Sequence, residues 1–195
     1  MSVTIAVLSG AGLVEALPAL ARLRIEVFRA WPYLYDGTLA YESAYLEKLA
    51  RADGAVIVAA RDGEAIVGCA TAAPLDGVDA AFAAPFAARG LDTGAIFYCG
   101  ESVLRPQYRG LRIGHRFFDE REAQARRLGF SVSTFCAVVR PPGHPLAPSD
   151  YVPLDAFWTK RGYAKADGLT TTFAWKDVDT PGETTKTMQF WMRTL

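Results

Sequence analysis

Apolar residues recur along this chain with two spacings, and these spacings predict its helices and strands. Spacings of three and four residues are typical of one helix face, whereas alternation and short β-branched runs are typical of strands. The predicted helices are residues 18–30, 39–49, 116–128 and 154–161. The predicted strands are residues 3–8, 55–60, 64–73, 96–104, 131–139, 169–176 and 187–192. The chain therefore reads as a mixed α/β domain.

Residue types at the ends of these segments support the assignment. Pro18 suits the first turn of the first helix, because it has no N–H to leave unpaired there. Thr38 is a residue type that caps helices and precedes the second helix. Asp62-Gly63 lies between two apolar runs, which is typical of a β-hairpin turn. Residues 76–93 interrupt the strand pattern and predict a short helix or a compact loop.

The most informative stretch is Val103-Leu104-Arg105-Pro106-Gln107-Tyr108-Arg109-Gly110-Leu111-Arg112-Ile113-Gly114-His115. A strand enters it and a helix leaves it, so several backbone N–H groups should lack partners at the start of that helix. The helix dipole adds partial positive charge at the same place. Two glycines allow close approach of the backbone, and three arginines lie among them. We therefore predict a cradle for a pyrophosphate.

Composition narrows the possible functions. The chain has 195 residues, is 51% hydrophobic and carries no net charge, so we expect one folded domain, residues 1–195, without wholesale binding of nucleic acid or membrane. No apolar run is long enough to span a membrane, and no signal peptide is evident. Three dispersed cysteines and two histidines give no metal-binding spacing. We expect a cytoplasmic protein with reduced thiols.

Two familiar phosphate motifs are missing from the cradle. The Gly-Lys-Ser/Thr ending of the Walker loop is absent, and so is the three-glycine dinucleotide fingerprint. The stretch instead resembles the acetyl-CoA loop of the GNAT acyltransferase superfamily, in which Arg or Gln is followed at the third and fifth positions by glycine or alanine. Arg109 and Gly114 fit this pattern. Arg112 stands at the position where the family usually has the middle glycine. Gly110, directly after Arg109, matches a frequent variant of the family loop. On this resemblance the cofactor-binding residues are Val103, Arg109, Gly110, Leu111, Arg112, Ile113, Gly114 and His115.

The rest of the chain extends the resemblance. Residues 155–163 read Asp-Ala-Phe-Trp-Thr-Lys-Arg-Gly-Tyr, similar to the family's helix that ends before Gly-Phe or Gly-Tyr. The order of elements also resembles the GNAT fold over nearly the whole chain. The resemblance implies a mixed, mostly antiparallel central sheet of about seven strands, flanked by helices and splayed between the fourth and fifth strands. It also implies transfer of an acetyl group from acetyl-CoA, the co-substrate, to an amine of a small-molecule acceptor.

Glu101 is the candidate general base. It lies on an otherwise apolar or small strand, two residues before Val103 and so on the same face, where loss of hydration favours the protonated form of a carboxylate. Alternatively, it is a structural carboxylate paired with an arginine such as Arg105 or Arg140. The backbone N–H of Val103 is a candidate donor to the thioester oxygen.

The general acid departs from the family pattern, because Trp158 occupies the position at which many members have a tyrosine. Tyr151 is the nearest replacement, although it can equally be a loop tyrosine packed on the helix, and the thiolate can also leave without a protein acid. His115 can donate to a phosphate or simply be solvated. His144 can line the acceptor site or be an exposed loop residue.

Two loops are expected beside the acceptor, by resemblance to the family. The first, residues 31–37, is unusually aromatic, and either closes the edge of the core or walls a pocket. The second, residues 140–153, is proline-rich and longer than a compact domain requires. Arg140 could hold an acceptor carboxylate. The last strand, with Met188 to Trp191, could pair with a second copy in a homodimer.

Two other functions remain open from the sequence. Trp158 in place of the tyrosine is compatible with a CoA-binding sensor or interaction module whose active site is degenerate. The anion cradle is also compatible with another kind of nucleotide-binding protein.

Overall fold

The computed structural model describes residues 3–195 and contains one seven-stranded sheet in the order β1-β2-β3-β4-β5-β7-β6. The first five strands are β1 (Val3–Leu8), β2 (Val56–Asp62), β3 (Ala65–Pro74), β4 (Ile96–Leu104) and β5 (Val132–Val139). The last two are β6 (Ala164–Lys176) and β7 (Glu183–Thr194). The sheet order and the predicted hairpin of β2 and β3 agree with the fold class expected from the sequence.

Five α-helices accompany the sheet in the described residues. They are α1 (Gly10–Phe28), α2 (Leu39–Ala50), α3 (Ala80–Ala87), α4 (Ile113–Arg127) and α5 (Asp155–Lys160). Thr38 caps α2 as predicted, because its hydroxyl accepts a hydrogen bond of 3.3 Å from the Tyr41 N–H. None of the helices within residues 3–195 is long and apolar enough to cross a membrane.

The parallel pair β4 and β5 is the one place in the described sheet where strands are parallel, and it is short. Ile96 to Tyr98 pair with Val132 to Thr134, and the pairing ends there although both strands continue. The remaining five pairs are antiparallel. The early end of the parallel pairing agrees with the splay expected between the fourth and fifth strands.

Helices cover both faces of the sheet. Helices α1 and α2 pack on one face through Leu20, Leu23 and Leu46, which are fully buried with Ile57 and other strand residues. Helix α4 packs on the opposite face, where its buried apolar side chains are Ile113, Phe117, Phe118 and Ala125. Each helix thus buries one apolar face against the sheet, and this burial is the main source of stability for the layered fold.

The structure corrects two predictions. Pro18 lies inside α1, which begins at Gly10, and not in the first turn. The lost backbone hydrogen bond is outweighed because Ala16 and Leu20 on either side of it are buried. Strand β7 lies between β5 and β6, so both of its edges are already paired and it cannot accept a strand from a second copy.

Candidate active site

The loop between β4 and α4 presents a row of free backbone N–H groups. Arg112, the residue before α4, has φ +61° and no side-chain cap, and Gly110 has φ +79°. The amides of residues 110–114 donate to no acceptor within the described residues 3–195. Consecutive free amides beside a left-handed residue at a helix N-terminus form a concave site that binds anions. Space is open where a Cβ on Gly110 would lie, so a ligand can approach the backbone there.

Some side chains around this loop are exposed and can contact a ligand, whereas others are held by the rest of the protein. Arg109, Leu111 and Arg112 are exposed, whereas Ile113 is buried beside Phe117 and contributes its backbone alone. The third arginine, Arg105, is not free to bind an anion. Its Nε and Nη2 donate to the two carboxylate oxygens of Glu26, at 2.9 Å each for the closest contacts.

Gly114 and His115 form the first turn of α4 and contact α5. A Cβ on Gly114 would lie 3.5 Å from Phe157 Cζ, an ordinary contact. The His115 ring packs edge-on against Phe157 at 4.9 Å, and its Nδ1 lies 3.5 Å from Arg161 Nη1. With Arg161 as donor, Nδ1 accepts and Nε2 carries the proton, so Nε2 can still donate to a phosphate.

A bulge in β4 sets the position of Glu101. Ala70 pairs with Ser102 and Ala72 with Cys99, so Gly100 and Glu101 together stand opposite Thr71. A Cβ on Gly100 would lie 2.6 Å from Thr71 Oγ1, which explains glycine at this position. The Glu101 N–H donates to the same Oγ1 at 3.4 Å. The bulge turns the Glu101 side chain toward the face covered by α1 and α2.

The register also shows where the amides of β4 point. Arg105 N donates to Val67 O at 3.0 Å, and Val103 pairs with Cys69. Residues two apart on a strand send their amides to the same side, so the Val103 N–H faces β3. The prediction that Val103 offers this N–H to the thioester therefore fails on geometry. The amides of Ser102 and Leu104 face the opposite side, where β5 has separated.

The Glu101 carboxylate is buried in a polar cluster, as its side chain is 7% exposed. Its Oε1 pairs with Arg24 Nη1 of α1, and its Oε2 accepts a 3.0 Å hydrogen bond from the Tyr45 hydroxyl of α2. Neither arginine suggested by the sequence is its partner, because Arg105 is bound to Glu26 and Arg140 to Asp177.

Arg24 binds a second carboxylate as well. Its Nε donates to Glu42 Oε2, and both side chains are almost fully buried. Burial opposes the charge of Arg24, but Glu101, Tyr45 and Glu42 outweigh this and raise the pKa of the guanidinium above its usual value. Burial, followed by the charge of Glu101, raises the pKa of Tyr45 well above 10, so its phenol stays protonated.

The two loops expected beside the acceptor contact one another. The Trp31 ring lies 5.0 Å from that of His144 and 6.0 Å, edge-on, from that of Tyr151. Tyr151 is 38% exposed. Burial and the charge of Asp155 raise the pKa of Tyr151, whereas Arg109 of the cofactor loop opposes the shift. Tyr151 is thus close enough to Arg109 for that charge to lower its pKa, and its ring contacts Trp31 of the aromatic loop.

Arg140 does not have a free guanidinium for an acceptor carboxylate. It makes two hydrogen bonds to Asp177, and its Nε donates to Pro32 O at 2.7 Å. Its Nη2 also donates to Tyr33 O. Arg140 therefore holds the aromatic loop in place, which corrects the suggestion that it binds substrate.

The tryptophan at the usual tyrosine position is partly buried and packs against the core. The Trp158 ring packs 5.0 Å from Phe135 and 5.1 Å from Trp191, both in an edge-on or tilted arrangement. The three cysteines are free and buried, as expected. Burial raises the pKa of Cys136 to about 12, and the Tyr98 hydroxyl lies 3.3 Å from its sulfur, so its thiol is not poised as a nucleophile.

Sequence reasoning missed Arg24, Glu42 and Tyr45, which surround Glu101. One signal was present. Arg24 falls within the apolar spacing of Leu20 and Val27 on α1, and a charged residue on a buried helix face requires a buried partner.

Comparison with known proteins agrees with this geometry. Residues 20–147 match the model of the acetyltransferase (GNAT) family, so the chain belongs to that family. No curated protein matches the chain significantly.

Solved structures share the fold at low sequence identity. An N-acetyltransferase from Staphylococcus aureus Mu50 is 13% identical with a TM-score of 0.64, and the match covers 100% of this chain and 99% of that one. A ribosomal-protein-alanine N-acetyltransferase from Brucella melitensis is 15% identical with a TM-score of 0.64, over 98% and 99%. The PaiA N-acetyltransferase from Thermoplasma acidophilum, in complex with coenzyme A, is 12% identical with a TM-score of 0.56, over 100% of both chains.

Proposed function

We propose that this protein transfers an acetyl group from acetyl-CoA to the amine of a small-molecule acceptor, directly within a ternary complex. The observation that carries the proposal is the row of free amides at residues 110–114, placed where β4 ends and beside its separation from β5. Membership of the acetyltransferase family and the coenzyme A bound by PaiA support it.

The residues present fit acetyl-CoA. The amides of residues 110–114, with exposed Arg109 and Arg112, match the charge and size of a diphosphate. The N–H groups of Ser102 and Leu104 face the gap between β4 and β5, where they would pair with the amides of the pantetheine arm. The thioester supplies the acetyl group, and the protein's residues hold it in line with the amine.

Glu101 is the proposed proton acceptor. Its Oε1 is buried against Arg24, whereas its Oε2 accepts from Tyr45 and has a further lone pair for an amine or a bridging water. Arg24 lies between two carboxylates, so its charge does not serve Glu101 alone. The ammonium gives one proton to Glu101, and its neutral nitrogen attacks the carbonyl carbon. The C–S bond then breaks, the nitrogen loses its second excess proton to solvent, and the departing sulfur takes a proton.

Tyr151 is the proposed donor to the departing thiolate. Its raised pKa keeps the phenol protonated at neutral pH, and it packs edge-on against Trp31 of the aromatic loop. A second candidate function is binding of CoA without turnover, and Trp158 in the position of the usual tyrosine favours it.

Thiol release from acetyl-CoA, measured across a panel of small primary amines and short peptides, separates the two functions. We expect steady thiol release with at least one small amine. Binding without turnover gives thermal stabilisation by acetyl-CoA but no release with any acceptor. A lack of stabilisation at about a hundredfold excess over a micromolar dissociation constant, where about 2.7 kcal/mol is expected, would refute both functions.

A further inference from the structure

Three buried charges, one of them the proposed base, lie in a row. Arg24, Glu42 and Glu101 are 7%, 1% and 9% exposed. They come from α1, α2 and β4, so the row joins two helices to the strand that borders the cofactor gap. Burying charges costs free energy even when they are paired, and a single carboxylate would have been enough to neutralise Arg24.

We propose that Arg24 and Glu42 are positioning residues, in which Arg24 orients the Glu101 carboxylate and Glu42 shares the Arg24 charge so that Glu101 keeps its basicity. The inference deepens the proposed function and rests on it. The role of Glu101 as base does not by itself explain why Arg24 and Glu42 are buried beside it.

The contacts show how one cation serves two carboxylates. Arg24 uses Nε for Glu42 and Nη1 for Glu101, two different nitrogens of one planar guanidinium. A lysine has a single charged nitrogen and could not hold both in this geometry. The guanidinium also stacks 4.4 Å above the Tyr45 ring, which fixes its plane. Arg24 thereby sets the direction of Oε1, and Tyr45 sets that of Oε2.

Glu42 is needed because its negative charge offsets part of the positive charge of Arg24. An arginine paired with one buried carboxylate stabilises the charged form of that carboxylate and makes it a weaker base. A second carboxylate on the same arginine opposes this effect by repulsion. Glu42 therefore offsets part of the attraction that Arg24 exerts on the Glu101 carboxylate.

Other ionisable groups face the cluster from several elements, and they keep one charge state near neutral pH. Burial raises the pKa of Tyr33 and Tyr45, and raises that of Cys69 on β3 to about 12, so these groups stay neutral. From α4, Arg121 donates to the backbone oxygen of Glu101 at 3.2 Å and stays charged.

Tyr35 of the aromatic loop faces Glu42. Burial, and then the charge of Glu42, raises its pKa, so its phenol is also neutral near pH 7. Changes in the pH response of the cluster between about pH 4 and 8 therefore report on its two carboxylates.

The first experiment needs no substrate. Carbon-13 labelling of glutamate side chains follows the Glu101 carboxyl group through a pH titration, with its signal assigned by its loss in Glu101→Gln. In Glu42→Gln we expect the midpoint of this titration to move to lower pH. Glu47→Gln is the matched control, because Glu47 lies on the same helix and is half exposed, and no shift is expected.

The second experiment measures turnover against pH with the acceptor found in the thiol-release screen. We expect the acidic limb of Glu42→Gln to move to lower pH and the plateau rate to fall several-fold, whereas Glu47→Gln matches the wild type. Arg24→Met should move the limb in the opposite direction. If Arg24→Met does not fold, the comparison of Glu42→Gln with Glu47→Gln is sufficient to test the inference.

The results separate this inference from the proposed function. An unchanged titration midpoint and acidic limb in folded Glu42→Gln would overturn the inference and leave acetyl transfer standing. A shifted midpoint together with no turnover by the wild type would remove acetyl transfer, while the coupling of the three charges would stand.

Discussion

Arg140 and Asp177 form a buried, two-pronged ion pair that joins the long loop to the end of β6. Arg140 Nη1 lies 2.6 Å from Asp177 Oδ2, and Nη2 lies 3.0 Å from Oδ1. The Arg140 Nε donates to Pro32 O in the aromatic loop. One guanidinium thus joins the long loop, the aromatic loop and the residue that follows β6.

Replacing Arg140 tests how much this pair stabilises the fold. Arg140→Met leaves Asp177 buried with Lys186 as its remaining cation, at 3.0 Å. We expect the free energy of unfolding to fall by about 3 kcal/mol, measured with urea. Arg51→Met is the control, because Arg51 is exposed and pairs with Glu47 at 3.7 Å, and it should change stability by less than about 0.5 kcal/mol. Equal losses in the two variants would contradict the prediction.

The same pair predicts a pH dependence of stability. Burial opposes the charge of Asp177, but hydrogen bonds from Arg140 and Lys186 outweigh it and lower its pKa in the folded protein. Its contribution to stability is therefore present above the unfolded pKa of about 3.9 and is lost as the pH falls through the folded value.

Urea unfolding of the wild type and Asp177→Asn across pH checks this sign. The difference in unfolding free energy should be constant between about pH 7 and 5 and should shrink below about pH 4. Asp53→Asn, at an exposed position, should show no such change. A difference for Asp177→Asn that stays constant down to pH 2 would exclude the proposed linkage.

Much of the fold could be predicted because local patterns decide it. The β2–β3 hairpin, whose turn lies at Gly63-Glu64, one residue beyond the predicted Asp62-Gly63, and the cap at Thr38 depend on neighbouring residues alone. The start of α1 was misplaced because a local rule for Pro18 was overridden by burial of the helix face around it. Strand β7 was assigned correctly, but its place inside the sheet depends on long-range pairing that its own sequence does not encode.

The site was predicted less completely, for a related reason. Glu101 was found because a charged residue breaks an apolar strand. Its partner Arg24 lies 77 positions earlier and meets it only when α1 packs across the sheet. The direction of the Val103 amide depends on the register between β3 and β4, which a one-residue bulge at Gly100 alters.

A glycine substitution tests the phosphate cradle. Gly110→Val forces a branched side chain into a backbone with φ +79° and should turn the free amides away from the ligand. We expect the acetyl-CoA dissociation constant, measured by calorimetry, to rise at least tenfold, a loss of about 1.4 kcal/mol. Gly63→Val is the matched control, since Gly63 has φ +57° in the β2–β3 turn and is equally unobstructed. A similar affinity in both folded variants would remove the loop from the binding site.

Glu101→Gln tests the proposed base against a purely structural carboxylate. The glutamine keeps the shape and can still accept from Tyr45, and Arg24 retains Glu42, so we expect the variant to fold. The substitution changes a side chain on the α1 and α2 face and leaves the backbone amides of Ser102 and Leu104 in place, so the acetyl-CoA dissociation constant should stay within about twofold. Turnover should fall by roughly 10²–10⁴, because the acceptor ammonium loses its proton acceptor.

The pH profile of Glu101→Gln distinguishes this loss from a general disturbance of the site. The acidic limb should flatten because the titrating group has gone, and turnover should partly recover at higher pH, where more of the amine is already neutral. If Glu101 serves only the fold, the variant should instead unfold at lower urea concentration and keep most of its turnover per folded molecule. Wild-type turnover with an unchanged acidic limb would assign amine deprotonation to solvent or to another side chain, because a carboxamide has no basic oxygen with which to replace Glu101.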